Sequence, residues 1–150
     1  MRRAIALARR GMNEGDGGPF GAVVVRRGAI VGEGWNRVVA TRDPTAHGEI
    51  VAMRAAGRRL ASFRLSGCDL YTTGEPCPMC LAAVYWARID RIFFGFMLAD
   101  AARIGFDDRV ISRELARPAA RRTIPAVQLL AAEARSLARE YAANPRRAKY

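Results

Sequence analysis

The chain's one histidine, His47, stands in "PTAHGEI", two residues before Glu49, and "GEPCPMC" places Cys77 and Cys80 at i and i+3. Thiols at that spacing share one face of a helix, close enough together to hold a single ion. Two soft sulfurs and one imidazole select zinc over the oxygen-loving cations. The three cysteines do not pair off, so Cys77 and Cys80 read as metal ligands or a redox pair rather than a structural disulfide. A structural zinc needs a fourth protein ligand, and the candidates are few. There is no second histidine. Cys68 sits at the far end of a predicted strand, about 16 Å of extended chain from Thr73, and reads as a small core residue. His47, Cys77 and Cys80 therefore leave one corner of the ion open, the catalytic pattern, in which a bound water becomes acidic near neutrality. Glu49 lies about 200° around a helix from His47, so it is no obvious fourth ligand. Its longer side chain can reach that water from the flank and move its proton. Alone, Glu49 would be an acid complementing a helix dipole; paired with the second motif it reads as a proton carrier.

These groups must be carried by helix openings. Asp43-Pro44 reads as an N-cap followed by proline at the first helical position, predicting a helix from Pro44 to about Leu60 with His47 and Glu49 near its start. Pro76 and Pro78 suit a second opening, which puts Cys77 and Cys80 in a first turn as well. Two facing helix N-termini favour thiolates and bound anions. Elsewhere, Ile5, Ala8 and Met12 give a helix over Arg2 to Met12. "GAVVVRRGAIVGEGWNRVV" gives two strands turning near Arg27-Gly28. "CDLYTT" predicts a strand, "RIFFGF" a buried strand and "IPAVQLL" a fifth. "ADAARIGFDDR" reads as a connection with a short helix after it, Leu130 to Ala142 as a last helix, and "NPRRAKY" as an exposed tail. Strands alternating with helices imply one domain over residues 1–150: an α/β, three-layer α/β/α sandwich around a five-stranded mixed sheet.

Bulk properties agree. Hydrophobic residues are 51% and charged residues 26% of the 150, a balance that buries a core. No apolar run reaches the roughly 20 residues of a membrane span. Arg9 and Arg10 interrupt the basic start, so it lacks a secretion signal's apolar core, and an intracellular, cytoplasmic protein is expected. The net charge is +11, and Lys149 is the only lysine. Arginines scattered along the whole chain read as dispersed surface charge, with a polyanion such as nucleic acid as the other reading.

The pairing of H-x-E with P-C-x-x-C is the signature of zinc deaminases. "TAHGEI" with "EPCPMC" resembles the cytidine-deaminase-like zinc hydrolases of bases, nucleosides and nucleic acids. "GGPFGAVVV", "GWNRV", "RDPTAHGEI", "LYTTGEPCPMCLAAVYWARI", "AARIGFDDRVI" and the terminal "KY" resemble the short bacterial guanine deaminases along almost the whole chain. That resemblance implies zinc held by His47, Cys77 and Cys80, a proton-shuttling Glu49, and Asp108 handling the exocyclic amine. It also implies Asn36 hydrogen-bonding the purine, Phe20 and Trp86 lining the pocket, and Tyr150 capping a neighbouring site. The assembly implied is a homodimer in which the C-terminal segment, 144–150, is swapped onto the partner. The implied reaction is hydrolysis of guanine to xanthine and ammonia. Alternatives are an adenosine deaminase acting on tRNA, a deaminase of ammeline or cytosine, or a zinc-stabilised binding module without chemistry. Gly48 departs from the pattern, where alanine is usual, as does Gly74, where cysteine is common, and Ala82, where glycine is. Gly48 would enlarge the pocket floor by a methyl. Without the resemblance, Asn36 reads as a turn residue, Trp86 as core, Asp107-Asp108 as a helix cap and Tyr150 as the end of a loose tail.

Overall fold

The valines of "GAVVVR" form β1 (Gly21–Arg26), and the chain reverses at once into β2 (Ala29–Trp35). Arg27 and Gly28 both take positive φ, 50° and 79°, as a two-residue turn between twisted antiparallel strands requires. The computed structural model describes residues 1–148. In it β3 (Cys68–Gly74) pairs antiparallel with β1, and β4 (Arg91–Phe96) pairs parallel with β3, giving the order β2-β1-β3-β4. The sheet is therefore mixed, as expected, but it has four strands instead of five.

Helices cover both faces. The first, α1 (Arg2–Asn13), packs on β1, where Gly21 lets the backbone of Ala4 and Ala8 come close. After the single turn α2 (Val38–Thr41) come α3 (Gly48–Leu60) and α4 (Pro78–Ala87). The alternate residues Ala22 and Val24 of β1 and Cys68 and Leu70 of β3 meet Ala52, Met53 and Ala56 of α3 and Val84 of α4 in one apolar core. Cys68 is fully buried there, as expected. Gly32 and Gly34 seat α3 on β2: a Cβ on Gly32 would fall 2.3 Å from the Ala52 carbonyl oxygen.

Beyond β4 come α5 (Leu98–Arg103), α6 (Arg109–Ala116), one 3-10 turn at Ala119–Arg121 and α7 (Ala131–Ala143). The chain divides into two compact units, Met1–Val110 and Ile111 onward. Among the described residues no helix is long and apolar enough to cross a membrane.

Three expectations need correction. The helix predicted from Pro44 begins at Gly48, because the Asp43 carboxylate accepts hydrogen bonds from the Thr45 amide (2.8 Å) and hydroxyl (2.7 Å). That closes a local turn that resembles a cap in sequence. The strand β4 is not buried: Phe93 and Phe94 are 38% and 40% exposed at the sheet's edge. Residues 124–130 form no strand, since a strand exists only against a paired neighbour, and Ile124, Val127 and Leu129 stand exposed.

The backbone contact at Gly32 gives a direct check. Gly32→Ala should destabilise by about 1–3 kcal/mol through overpacking. Urea unfolding would show a lower midpoint with an unchanged slope.

Candidate metal centre

His47 and Cys77 occupy equivalent stations. Each is the N-cap of its helix, in extended backbone, at φ −68° and ψ 155° for His47 of α3 and φ −63° and ψ 167° for Cys77 of α4. Pro78 follows as the first helical residue of α4, where its missing N–H costs nothing. The His47 side chain does not bond back to its own helix, and imidazole and thiol meet each other. His47 Nδ1 lies 3.6 Å from Cys77 Sγ and 3.6 Å from Cys80 Sγ, and the three ligand atoms fall within 4.8 Å of one another. A tetrahedral zinc with ordinary Zn–N and Zn–S bonds separates nitrogen from sulfur by about 3.6 Å. The donor set and its spacing thus fit zinc, with the positive ends of two helices behind it.

Electrostatics in the cluster centres on one shared proton. Cys80 donates to Cys77, and that bond, with help from His47, lowers the Cys77 thiol to about 4. Cys80 is correspondingly raised, first by the same bond, then by burial and by Glu49. The contact with Cys77 raises His47 against the opposing effect of burial. A divalent ion takes the place of this proton and satisfies both sulfurs as thiolates. Glu49, one residue into α3, is buried, and burial raises its carboxyl above the usual range while the Cys80 thiol touches it. Asp108 is raised as well, first by burial and then by the negative charge of Cys77, and its own charge acts back on His47.

The remaining predicted residues surround this centre unevenly. Asn36 is buried; its Oδ1 accepts from the Val38 amide at 3.2 Å, and its backbone N–H donates to the Phe20 carbonyl at 2.7 Å. Gly48 faces the Phe20-Gly21 backbone rather than open space: an added Cβ would lie 3.0 Å from the Phe20 oxygen. Phe20 packs edge-on against Phe106, with ring centres 4.9 Å apart, and against Phe96 at 5.6 Å. Trp86 is 66% exposed on α4. Tyr150 lies outside the described residues. Asp107 serves the start of α6, accepting from the Arg109 amide at 3.0 Å and pairing with its guanidinium.

Some supporting residues were not anticipated. Trp35 donates to Asp16 at 2.6 Å and is flanked by the guanidinium groups of Arg10 and Arg37. Asp16 also holds α2, its carbonyl accepting from the Val39 and Ala40 amides. Phe96 and Phe106 close on Phe20 because Gly18 and Gly74 carry no side chain there. Gly18, in "GDGGP", and Gly74 were the residues in the sequence that make room for this packing.

Comparison with known proteins gives concordant matches. The family model for the cytidine and deoxycytidylate deaminase zinc-binding region matches residues 1–96. Guanine deaminase of Bacillus subtilis is 50% identical over 133 residues, covering 89% of this chain and 85% of that one. The X-ray structure of guanine deaminase from Bacillus subtilis superposes with a TM-score of 0.96 at 46% identity, covering 99% of this chain and 95% of that one. The tRNA-specific adenosine deaminase of Haemophilus influenzae is 40% identical over 121 residues, 77% of this chain and 69% of its own.

The ligand assignment is open to metal analysis. Cys77→Ala and Cys80→Ala should each reduce bound zinc from one per chain to near zero. Cys68→Ala, in the core of the same unit, should retain it.

Proposed function

The chain belongs to the cytidine and deoxycytidylate deaminase zinc-binding family, and from that footing we propose that it hydrolyses free guanine to xanthine and ammonia. The observation that carries this reading is the reach of the likeness. It runs past the zinc-binding region through "IGFDD" and covers nearly all of a chain named guanine deaminase, in sequence and in fold. The tRNA deaminase relative is less identical and matches a shorter stretch.

Zinc is the cofactor, held by His47, Cys77 and Cys80, and when bound it supplies a Lewis acid that acidifies water at neutral pH. The chain's own residues do the rest. Glu49 takes a proton from the attacking water and delivers it to the ring nitrogen beside the amine-bearing carbon. Its burial suits this role, because a carboxyl raised towards neutrality both accepts and returns protons readily. The C–O bond forms as the ring C=N opens to that nitrogen. The new hydroxyl then collapses to a carbonyl, the C–N bond to the amine breaks, and the hydroxyl proton, carried by Glu49 and Asp108, completes the departing ammonia. Asn36 orients the purine: with Oδ1 engaged by the Val38 amide, its amide nitrogen is the group presented as a donor. Phe20 and Trp86 supply apolar walls for the ring, and Gly48 lets the Phe20 backbone approach the start of α3.

The working unit is a cytoplasmic homodimer, and the C-terminal segment of one chain, 144–150 with Tyr150 at its end, closes the partner's site. Exposed apolar side chains in each unit support an assembly. Leu81, Tyr85, Trp86 and Phe93 stand out from α4 and β4, and Ile124, Val127, Leu129 and Leu130 from the second unit.

The net charge of +11 favours a second reading, deamination of adenosine in tRNA. A panel of guanine, adenine, cytosine, ammeline and tRNA separates the readings by ammonia release. Guanine should turn over with little response to salt. Turnover of tRNA alone, falling steeply with salt, would overturn the free-base assignment. Glu49→Gln should keep one zinc per chain and the fold but lose turnover by roughly 100-fold or more. Normal turnover in that variant would remove Glu49 from the mechanism. Deleting residues from Asn144 onward should lower activity and leave zinc content unchanged.

A further inference from the structure

We propose that Phe106 is a positioning residue for Asp108, setting the acid over the metal centre through the edge-on contact of its ring with Phe20. The inference rests on the reading of Asp108 given above and adds the residue through which the fold places it. After α5 the chain turns at Gly105, with φ 97°, and the Phe106 amide closes the turn on the Ala101 carbonyl at 3.0 Å. From Phe106 to Asp108 the chain follows neither helix nor strand. Downstream the start of α6 is secured by Asp107 through Arg109. Upstream the stretch is fixed by the Phe106 ring, 4.9 Å from Phe20 at an interplanar angle of 85°.

Phe106 is 43% exposed, so burial alone does not explain an aromatic residue there. What surrounds it does. Gly18 gives the ring its seat: a Cβ there would fall 2.6 Å from Phe106 Cζ and 3.0 Å from Phe20 Cδ2. Gly74 does the same on the other side, where a Cβ would meet Phe96 at 2.6 Å and Phe20 at 3.2 Å. Two positions thus lack side chains where the three rings gather. Phe20 is also the residue whose carbonyl takes the Asn36 amide and lies against Gly48 at the start of α3. One residue, Phe20, therefore meets the loop bearing Asp108 through its ring and the segments bearing Asn36 and Gly48 through its carbonyl.

A double-mutant cycle tests this with guanine as substrate, reading kcat, KM and zinc content. Phe106→Ala should lower kcat roughly 10- to 100-fold, as expected when a reacting group is misplaced by about 1 Å, with KM little changed and zinc at one per chain. Phe106→Tyr, which retains the ring edge, should restore most of the loss. Gly18→Ala, which crowds the Phe106 ring and also touches Phe20, should likewise lower kcat. In an Asp108→Asn background, Phe106→Ala should add no more than about a twofold further loss, because its effect is exerted through the acid. Two losses that multiply would overturn the inference while leaving the role of Asp108 in place. An Asp108→Asn enzyme with normal kcat would overturn the reading of Asp108 itself, and the inference with it.

Discussion

Two helices begin at the same place. His47 caps α3 and Cys77 caps α4, each in extended backbone, and Cys80 follows inside the first turn of α4. The positive ends of both helices then bear on two sulfurs and an imidazole held within 4.8 Å. The two thiols are coupled, Cys77 lowered and Cys80 raised by their mutual contact, and both sulfurs together with the imidazole would hold a zinc ion. The rest of the architecture serves this meeting point. The parallel pairing of β3 and β4 requires α4 as the crossover between them. Gly32 and Gly34 let α3 rest directly on the backbone of β2, which fixes the height of His47 and Glu49 above the sheet.

Around that centre the chemistry divides by depth. Glu49 is enclosed, and burial raises its carboxyl above the usual range. Asp108 lies on a loop outside regular structure and feels the centre through charge. The Val38 amide holds the Asn36 side chain through Oδ1, and the residue's backbone N–H is held by the Phe20 carbonyl. Such preorganisation means that little rearrangement of the protein is needed when a flat heterocycle binds. Phe20 links these levels, since it touches the Asn36 amide through its carbonyl and the Phe106 ring through its own.

The metal ligands were legible in the sequence because their chemistry is local: two thiols one turn apart and a solitary histidine beside a glutamate leave few alternatives. The hairpin at Arg27-Gly28, α1 and α7 were legible for a similar reason, as short-range periodicity and turn residues decide them. The start of α3 was not, because Asp43-Pro44-Thr45 spells both a helix cap and the tight turn that forms. The exposure of β4 and the absence of a fifth strand depend on pairing between distant segments, and alternating apolar residues cannot report which edges find neighbours. The aromatic cluster was hidden for another reason. Its room is made by Gly18 and Gly74, and a glycine that yields space to a distant ring looks the same in sequence as one that turns the chain.

The central claim is that three side chains hold the zinc and the fourth corner is left to solvent and substrate. X-ray absorption at the zinc edge on the loaded protein tests it most directly. The account predicts two sulfur scatterers, one imidazole and one light atom belonging to no side chain, which exchanges when a purine analogue is added. A third sulfur, or a carboxylate closing the sphere and unmoved by the analogue, would contradict it.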